Sequence, residues 1–243
     1  MKPFLLLSIR AEPLAAVEEH AAFSRYLGVE QEDLHRVELG AEPLAVDLDD
    51  YSGVLLGGGA FTYSDDASTK SERQLLAEKD VYALLDDVVA RDIAFLGACY
   101  GIGTLGSHQG GIVDRSYPEA VGPLMVELTA EGLEDPVFAG LPQSFAAYGG
   151  HKEALTVAPA HAVRLATSSA CPVQAFRIGQ HAYATQFHPE LDLSGLLTRI
   201  DAYAHHGYFH PTEADALSTA ARAVDVVHPG RILANFAARF RRG

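Results

Sequence analysis

Short and almost purely apolar runs recur in the first hundred residues, each followed by glycine or by a charged residue. Phe4–Ile9, Val54–Leu56 and Ile93–Leu96 are such runs, and His35–Leu39 is a more polar one. A strand without polar–apolar alternation is typical of a parallel sheet, in which both faces are covered. These four segments are therefore predicted to be parallel strands.

Helical spacing appears between these strands. Pro13–Tyr26 repeats apolar residues at helical intervals and stops at Gly28, a common helix end, and Ser71–Ala90 carries a longer stripe. The stripe positions are Leu14, Val17, Ala21 and Leu27 in the first segment and Leu75, Leu76, Val81, Leu84, Leu85 and Val88 in the second. Alternating strands and helices predict an α/β fold, a three-layer, open and mostly parallel sheet with helices on both faces.

The pattern changes in the second half of the chain. From residue 113 onward the apolar runs are shorter and are interrupted by glycine and proline, which predicts a mixed or antiparallel extension of the sheet. After residue 190 it is helical. The strands are expected at Val113, Leu124–Leu128, Phe145–Tyr148, Ala162–Ala166 and Val173–Ile178, and the helices at Leu193–His206, Thr212–Val224 and Gly230–Arg241. We expect a main domain over residues 1–195 and a C-terminal helical extension over residues 196–243, packed on it.

The segment 97–101 (Gly-Ala-Cys-Tyr-Gly) lies between a predicted strand and a predicted helix. A nucleophile flanked by glycines at such a junction is typical of a nucleophile elbow, in which a strained turn lifts the side chain clear of the sheet. The helix N-terminus beneath it favours a thiolate. A buried cysteine that only packs is the alternative, but the two glycines favour a reactive one. Cys99 is therefore the candidate nucleophile.

Residues Ala182–Glu190 are predicted to be a strand that runs into a loop. A candidate base lies in the second half of this stretch, in the segment 186–190 (Gln-Phe-His-Pro-Glu). Alternation along an extended chain places Gln186, His188 and Glu190 on one side. His188 would take the thiol proton and return it to the leaving group, while Glu190 would orient the imidazole and stabilise its charged form. Cys99, His188 and Glu190 are thus predicted to form a catalytic triad.

Three consecutive glycines, Gly57–Gly59, follow a third predicted strand. Glycine lets backbone N–H groups approach a ligand closely, so one of these groups and the N–H of Tyr100 would form an oxyanion hole. A flexible turn is the alternative. The glycines are not followed by Lys-Ser or Lys-Thr, which argues against a phosphate-binding loop.

Taken together, the glycine loop, the elbow and the segment 186–190 resemble, in order and spacing, the class I (triad-type) glutamine amidotransferases over roughly residues 1–195. The resemblance implies a flavodoxin-like sheet and attack of Cys99 on the side-chain amide of glutamine, with release of ammonia and hydrolysis of a γ-glutamyl thioester. It implies that Gly59 and Tyr100 supply the oxyanion N–H groups, that Gly58 shapes the loop and that Gln186 lies in the substrate site. The chain looks most like stand-alone, guanylate-synthase-like members, which implies a separate synthetase as the acceptor of ammonia.

Two positions depart from that family pattern. Many members carry a glutamine two residues after the second elbow glycine, where it helps to hold the substrate, and this chain has Gly103. The loop that usually carries Ser-His reads Tyr148–Glu153 instead, with His151 as a candidate substrate contact. The substrate therefore stays open between free glutamine and a γ-glutamyl peptide or conjugate, which the same triad would cleave. A catalytically inactive binding protein of the same fold is a third alternative.

Charge and composition limit the partners. The formal net charge of −14 would repel a phosphate backbone, so nucleic acid is not expected to bind. The first apolar run is too short for a signal segment, and no stretch reaches the length of a membrane span. Two cysteines provide no disulfide framework, which fits a reducing compartment. We expect a cytoplasmic enzyme without a membrane partner, and a homodimer stays open.

A cluster of histidines near the C-terminus is the other candidate for chemistry. His205, His206 and His210 lie close in sequence, but Gly207 would end the helix between them and no carboxylate motif accompanies them. They are expected to be surface histidines, and we expect neither a metal nor a cofactor.

Overall fold

The computed structural model of the protein describes residues 2–10, 12–203 and 209–243. Its strands within these ranges are β1 Phe4–Ser8, β2 Leu34–Glu38, β3 Val54–Leu56, β4 Phe95–Ala98, β5 Ile112–Asp114, β6 Glu119–Leu128, β7 Ser144–His151, β8 Ala154–Val157, β9 Val163–Thr167, β10 Ala175–Ile178 and β11 Ala182–Thr185. The helices are α1 Pro13–Leu27, α2 Glu72–Ala90, α3 Tyr100–His108, α4 Ala130–Glu134, α5 Leu193–Tyr203, α6 Ala214–Arg222 and α7 Gly230–Phe240.

Nine of the described strands form one sheet, in the order β2-β1-β3-β4-β11-β10-β9-β6-β7. The first five are parallel to one another, and the last four extend the sheet by antiparallel pairing. The predicted α/β class and the predicted antiparallel extension are both confirmed. Strand β8 was not predicted, and it pairs with β5 in a small separate sheet.

Helices cover both faces of the sheet, as predicted. Alternate residues of β1 point to opposite faces, so Phe4 and Leu6 share a hydrophobic cluster with α1 and α7. Leu5 and Leu7 share the other cluster with α2 and α3. The uniformly apolar character of β1 is thus explained by burial on both sides.

Helix α1 buries a different face from the one that its apolar residues indicate. Leu14 and Val17 are 77% and 63% exposed, whereas Ala22 and the carboxylate of Glu19 are buried. Small side chains let the helix approach the sheet, and Glu19 turns inward because it pairs with Arg10. Leu27, the last residue of the predicted stripe, is buried as expected, so the buried ion pair changes the inward face only in the earlier turns of the helix.

Helix α2 begins one residue later than predicted, because Ser71 is its N-cap and accepts a hydrogen bond from the backbone N–H of Gln74. Leu75 is 41% exposed, contrary to the predicted stripe. Gln74 takes the inward position in this turn, where its side-chain amide donates to the carbonyl of Thr62.

The C-terminal helices contribute to the cores of the sheet. The ring of Phe236 in α7 packs against that of Phe4, with 6.1 Å between centroids, and the N–H of Lys2 donates to the carbonyl of Arg242. Helix α6 packs on α5 and on β6. The division at residue 195 stays a prediction, and the predicted continuation of α5 to His206 lies outside the described residues.

The sheet order brings three chain segments to one edge. Strands β3, β4 and β11 are parallel neighbours, so the residues that follow them leave the sheet on the same side. These residues are Gly57–Gly59, Cys99 and the segment 186–190. The N–H of Cys99 donates to the carbonyl of Thr185 over 2.7 Å, which ties the elbow to β11.

None of the helices in the described ranges combines the length and the apolar composition needed to cross a bilayer.

We expect Phe236→Ala to lower the free energy of unfolding by about 3–5 kcal/mol, because it removes a fully buried ring from the layer that α7 shares with α1. Leu14→Ala is the control, since that side chain is mostly exposed, and it should cost less than about 0.5 kcal/mol. Urea denaturation followed by circular dichroism measures both. Similar costs for the two variants would contradict the packing described for α1 and α7.

Candidate active site

Cys99 lies in a strained turn between β4 and α3. Its φ of 54° and ψ of −91° belong to the positive-φ half of φ/ψ space, which residues other than glycine rarely occupy. A Cβ at Gly97 would lie only 2.7 Å from the Cα of Gly101, so this turn admits no side chain at position 97. Strain of this kind costs about 1–3 kcal/mol and persists only where the surroundings impose it. The predicted elbow is present, with Cys99 as the N-cap of α3 and its side chain partly exposed.

His188 faces Cys99 across the sheet edge. The two side chains lie against each other beside Gly58, where a Cβ would be 2.6 Å from Cε1 of His188 and 3.1 Å from Cβ of Cys99. The Nδ1–H of His188 donates to Oε1 of Glu190 over 2.8 Å. Burial opposes charging of the imidazole, but the negative charge of Glu190 and the contact with Cys99 outweigh it and raise the pKa of His188 to about 9. The structure therefore brings together the three residues predicted as a triad.

Arg199 on α5 completes this group, although none of the sequence motifs described above includes it. Its Nη2–H donates to the same Oε1 of Glu190 over 3.0 Å. Its Nη1 is 3.2 Å from Nδ1 of His188, but that nitrogen gives its proton to Glu190, so the guanidinium acts through the carboxylate. Burial favours the neutral acid, yet the charges of His188 and Arg199 prevail and hold the pKa of Glu190 far below its usual range.

The signal for Arg199 was the periodicity of α5. Leu196, Ile200 and Tyr203 are all buried, and Arg199 shares their side of the helix. An arginine on the buried stripe of a helix needs an anionic partner inside the protein. In the sequence alone the partner could not be chosen among many carboxylates.

A second buried ion pair lies beside the first. Nε of Arg10 is 2.6 Å from Oε1 of Glu19, and Ser8 donates to the other oxygen of that carboxylate. Burial alone would lower the pKa of Arg10, but Glu19 and Tyr203 raise it above its ordinary value. Arg199 also lies within 4.0 Å of Glu19. Two guanidinium groups and two carboxylates thus form one buried network below His188.

Each residue of the glycine loop packs tightly against a different neighbour. A Cβ at Gly57 would lie 2.8 Å from the carboxylate of Glu19, and one at Gly58 would lie 2.6 Å from Cε1 of His188. At Gly59 it would lie 2.5 Å from Cγ1 of Ile9. The loop therefore runs against the network, the imidazole and the end of β1, and the glycines are required by space.

Two cavities open from Cys99, and they share Gly59, Val121 and Gly150. We name the first the Gln186 cavity. Its other lining residues are Ala60, Phe61, Thr62, Tyr100, Ile102, Gly103, Val113, Glu119, Ala120, His151, Lys152, Glu153, Ala154 and Gln186. We name the second the His188 cavity, and its other lining residues are Arg10, Gly149, His188, Leu191, Leu196, Arg199, Ile200, Tyr203 and Phe209.

Gly103 lines the Gln186 cavity. A Cβ there would make ordinary contacts of 3.7 Å with Tyr63 and Val113 and would lie 3.9 Å from Oε1 of Glu153. The carboxylate of Glu153 is fixed by the backbone N–H groups of Tyr63 and Ser64, both at 2.7 Å. An acidic group thus borders the space into which a side chain at position 103 would extend.

His151 and Gln186 also line this cavity. The predicted loop Tyr148–Glu153 is wrong in its first part, because β7 continues to His151 through pairing with β6. Both ring nitrogens of His151 are engaged, with Oε2 of Glu119 at 2.7 Å and the carbonyl of Glu153 at 2.8 Å. The side-chain oxygen of Gln186 is buried and has no hydrogen-bond partner among the described residues.

Glu119, His151 and Cys171 place their ligand atoms within 4.8 Å of one another, as a metal site would require. The carboxylate of Glu119 already accepts hydrogen bonds from His151, Gln174 and Ser168. Burial raises the pKa of the Cys171 thiol to about 11, which disfavours the thiolate form that binds metals. These contacts account for the cluster without an ion.

Of the three clustered histidines, His205 and His206 lie outside the described residues. His210 is exposed, and its ring accepts a hydrogen bond from the N–H of Thr212. It caps the short turn Pro211–Glu213 that precedes α6.

Among proteins of known name, the chain is 31% identical over 115 residues to the GMP synthase [glutamine-hydrolyzing] of Thermosipho africanus. That match covers 47% of this chain but only 22% of the relative, so the chain spans about a fifth of that GMP synthase. It is also 27% identical over 208 residues to gamma-glutamyl peptidase 3 of Arabidopsis thaliana, covering 84% of this chain and 79% of the peptidase.

The fold has a counterpart among solved structures. The crystal structure of a glutamine amidotransferase from Thermotoga maritima superposes with a TM-score of 0.76 at 22% identity and covers 100% of both chains. The family model described as "Glutamine amidotransferase class-I" matches residues 23–200, which is most of the chain. The protein is therefore a member of the class I glutamine amidotransferase family.

Proposed function

We propose that this protein hydrolyses the side-chain amide of glutamine through a γ-glutamyl thioester on Cys99. The observation that carries the proposal is the arrangement at the sheet edge, where a strained cysteine at a helix N-terminus faces a buried histidine held by Glu190 and Arg199. A thiol nucleophile, a base and an orienting carboxylate are the parts that acyl transfer to sulfur requires.

His188 carries the proton when the reaction begins, because Glu190 and the contact with Cys99 raise the pKa of the imidazole. In the first half of the reaction the thiolate sulfur attacks the amide carbon, His188 gives its proton to the nitrogen, the C–N bond breaks, and ammonia leaves a thioester behind. In the second half, the neutral imidazole takes a proton from water, the resulting hydroxide attacks the thioester carbon, and the C–S bond breaks to return the thiolate as glutamate departs, with the proton of the new carboxyl group passing to solvent. His188 begins and ends the cycle protonated.

The charge that develops on the carbonyl oxygen would be met by backbone N–H groups of Gly59 and Tyr100. Tyr100 is the first residue of α3, where N–H groups have no carbonyl partner within the helix. Gly59 borders both cavities next to Cys99. Both positions support the expected oxyanion hole. Because Gly58 has no side chain, the imidazole of His188 can pack directly against the backbone of the glycine loop.

The glutamyl part of the substrate would occupy the Gln186 cavity. Its ammonium group would be met by the free oxygen of Gln186 and by the carboxylate of Glu153. His151 would line the cavity and orient Glu119 rather than bind the substrate, since its two ring nitrogens already contact the carbonyl of Glu153 and the carboxylate of Glu119. A separate synthetase as ammonia acceptor, a homodimer and the cytoplasmic location stay predictions.

A γ-glutamyl peptide or conjugate is the second candidate substrate. Two observations favour it, the absence of a glutamine at position 103 and the similarity to a gamma-glutamyl peptidase over 84% of the chain. Glutamate release from glutamine and from a set of γ-glutamyl dipeptides separates the two. The third alternative, an inactive binding protein, predicts no covalent adduct at Cys99.

Cys99→Ser should lower glutamate release by about three orders of magnitude or more, because a hydroxyl is a much weaker nucleophile here. It should also abolish labelling by a glutamine-mimicking electrophile, read by intact mass, while the melting temperature stays nearly unchanged. Cys171→Ser is the matched control, since that buried thiol should neither react nor contribute to turnover. Labelling that persists in Cys99→Ser would remove this residue from the mechanism.

His188→Ala should cost roughly tenfold to a hundredfold more in kcat than Glu190→Gln, because the first removes the group that moves the proton and the second only disturbs its orientation. Single-turnover formation of the thioester measures the difference. If both variants lose the same activity, Glu190 has a part in the chemistry beyond positioning His188.

The pH profile of kcat/KM, which reports the groups of the free enzyme, should fall on the alkaline side near pH 9. Up to that pH the raised pKa keeps a proton on His188 for the leaving nitrogen, and above it the proton is lost. In Glu190→Gln the carboxylate that raises this pKa is gone while the burial that lowers it remains, so the limb should move to lower pH.

Asp192→Asn is the control for that shift. This substitution removes a nearby carboxylate that pairs with Arg25 rather than with His188. The alkaline limb of the pH profile of this variant should therefore stay near pH 9. A limb that stays in place in Glu190→Gln would show that this carboxylate does not set the protonation of His188.

A further inference from the structure

Hydrolysis of free glutamine would leave most of the His188 cavity unfilled. The leaving group is then only ammonia, and the glutamyl part of the substrate is assigned to the Gln186 cavity. The two cavities meet at Cys99, so a substrate that fills both must continue beyond the bond that breaks. This argument rests on the proposed amide hydrolysis at Cys99.

The position of His188 decides which part of a substrate would enter its cavity. This imidazole gives its proton to the leaving nitrogen, so that nitrogen must lie beside it when the bond breaks. Whatever substituent the nitrogen carries must then point away from Cys99, along the His188 side. The His188 cavity is therefore placed to receive the leaving amine.

The walls of the cavity indicate what kind of amine fits. Apart from the charged groups, they are formed by six aliphatic or aromatic side chains: Val121, Leu191, Leu196, Ile200, Tyr203 and Phe209. Most of these belong to a third hydrophobic cluster, which α6 backs through Ala214, Leu217 and Ala221. The packing of α6 keeps these side chains in place. Transfer of an apolar substituent from water to such an apolar surface is favourable.

The two guanidinium groups in the cavity are already paired with carboxylates. Arg10 is paired with Glu19, and Arg199 is paired with Glu190. Both guanidinium groups are buried and fixed by short contacts, so recruiting them for a substrate carboxylate would leave Glu19 or Glu190 as an uncompensated buried anion. A substituent with a positive charge would meet the same two cations. The charge distribution favours a neutral amine.

We propose that the preferred substrates are γ-glutamyl amides of a neutral, apolar primary amine, with the amine substituent in the His188 cavity against α5 and Phe209. Tyr203 and Phe209 lie beyond residue 200, where the match to the family model ends. The C-terminal segment thereby contributes specificity for the leaving group as well as packing.

The test compares glutamate release by the full-length protein from four compounds: glutamine, γ-glutamyl n-butylamide, and the two analogues of the butylamide that end in a carboxylate or an ammonium group. Each buried methylene is worth roughly a factor of four in affinity. We expect kcat/KM for the butylamide to exceed that for glutamine, and that for each charged analogue, at least tenfold.

Variants on α5 test the location of the amine. Ile200→Phe narrows the cavity and should lower the ratio of butylamide to glutamine kcat/KM at least tenfold. Ser194→Phe adds the same ring on the exposed side of the same helix and should leave that ratio unchanged. The comparison of substrates on the unaltered protein stands even if Ile200→Phe does not fold.

Three results would overturn the inference. A butylamide that is no better than glutamine, or no better than its charged analogues, would remove the preference while leaving amide hydrolysis intact. A ratio that Ile200→Phe leaves unchanged in a folded protein would remove the His188 cavity as the site. No glutamate from any compound, together with no labelling of Cys99, would instead overturn the proposed function and this inference with it.

Discussion

The carboxylate of Glu190 is the group on which the geometry of the site depends. It is fully buried, and one of its oxygens accepts from both His188 and Arg199. An isolated buried carboxylate would become neutral, but two cationic partners keep it charged. The charged carboxylate in turn orients the ring of His188 and raises its pKa. The hydrogen bond from Arg199 to Glu190 also fixes helix α5 against the site.

The sheet order supplies the other half of the geometry. No two of the chain segments at the site are close in sequence, yet three adjacent parallel strands deliver them to the same edge. Each segment is held by a backbone constraint rather than by a flexible side chain. Cys99 is fixed by its strained turn, the glycine loop by close packing, and His188 by the hydrogen bond from its N–H to the carbonyl of Tyr148.

The parts that the sequence predicted well are those governed by local sterics. Apolar runs without alternation are typical of strands covered on both faces, and glycines on both sides of a cysteine at a strand end favour an elbow. The failures concern groups that are decided by tertiary pairing. Glu19, Arg10 and Arg199 look like surface charges in the sequence, and only the fold shows that they neutralise one another inside. The pair of Arg10 and Glu19 also changes which residues in the first turns of α1 face inward. Pairing with β6 extends β7 through Gly149 and Gly150, which the sequence predicts to lie in a loop.

The hydrogen bond between Lys2 and Arg242 places these two residues side by side, close to Ser52, which precedes β3. They lie at the end of the parallel strands opposite to Cys99. A fluorescent label attached at either residue would therefore sit a full strand length away from the thiol. For the same reason, a short linker could join these two residues, since little distance has to be bridged.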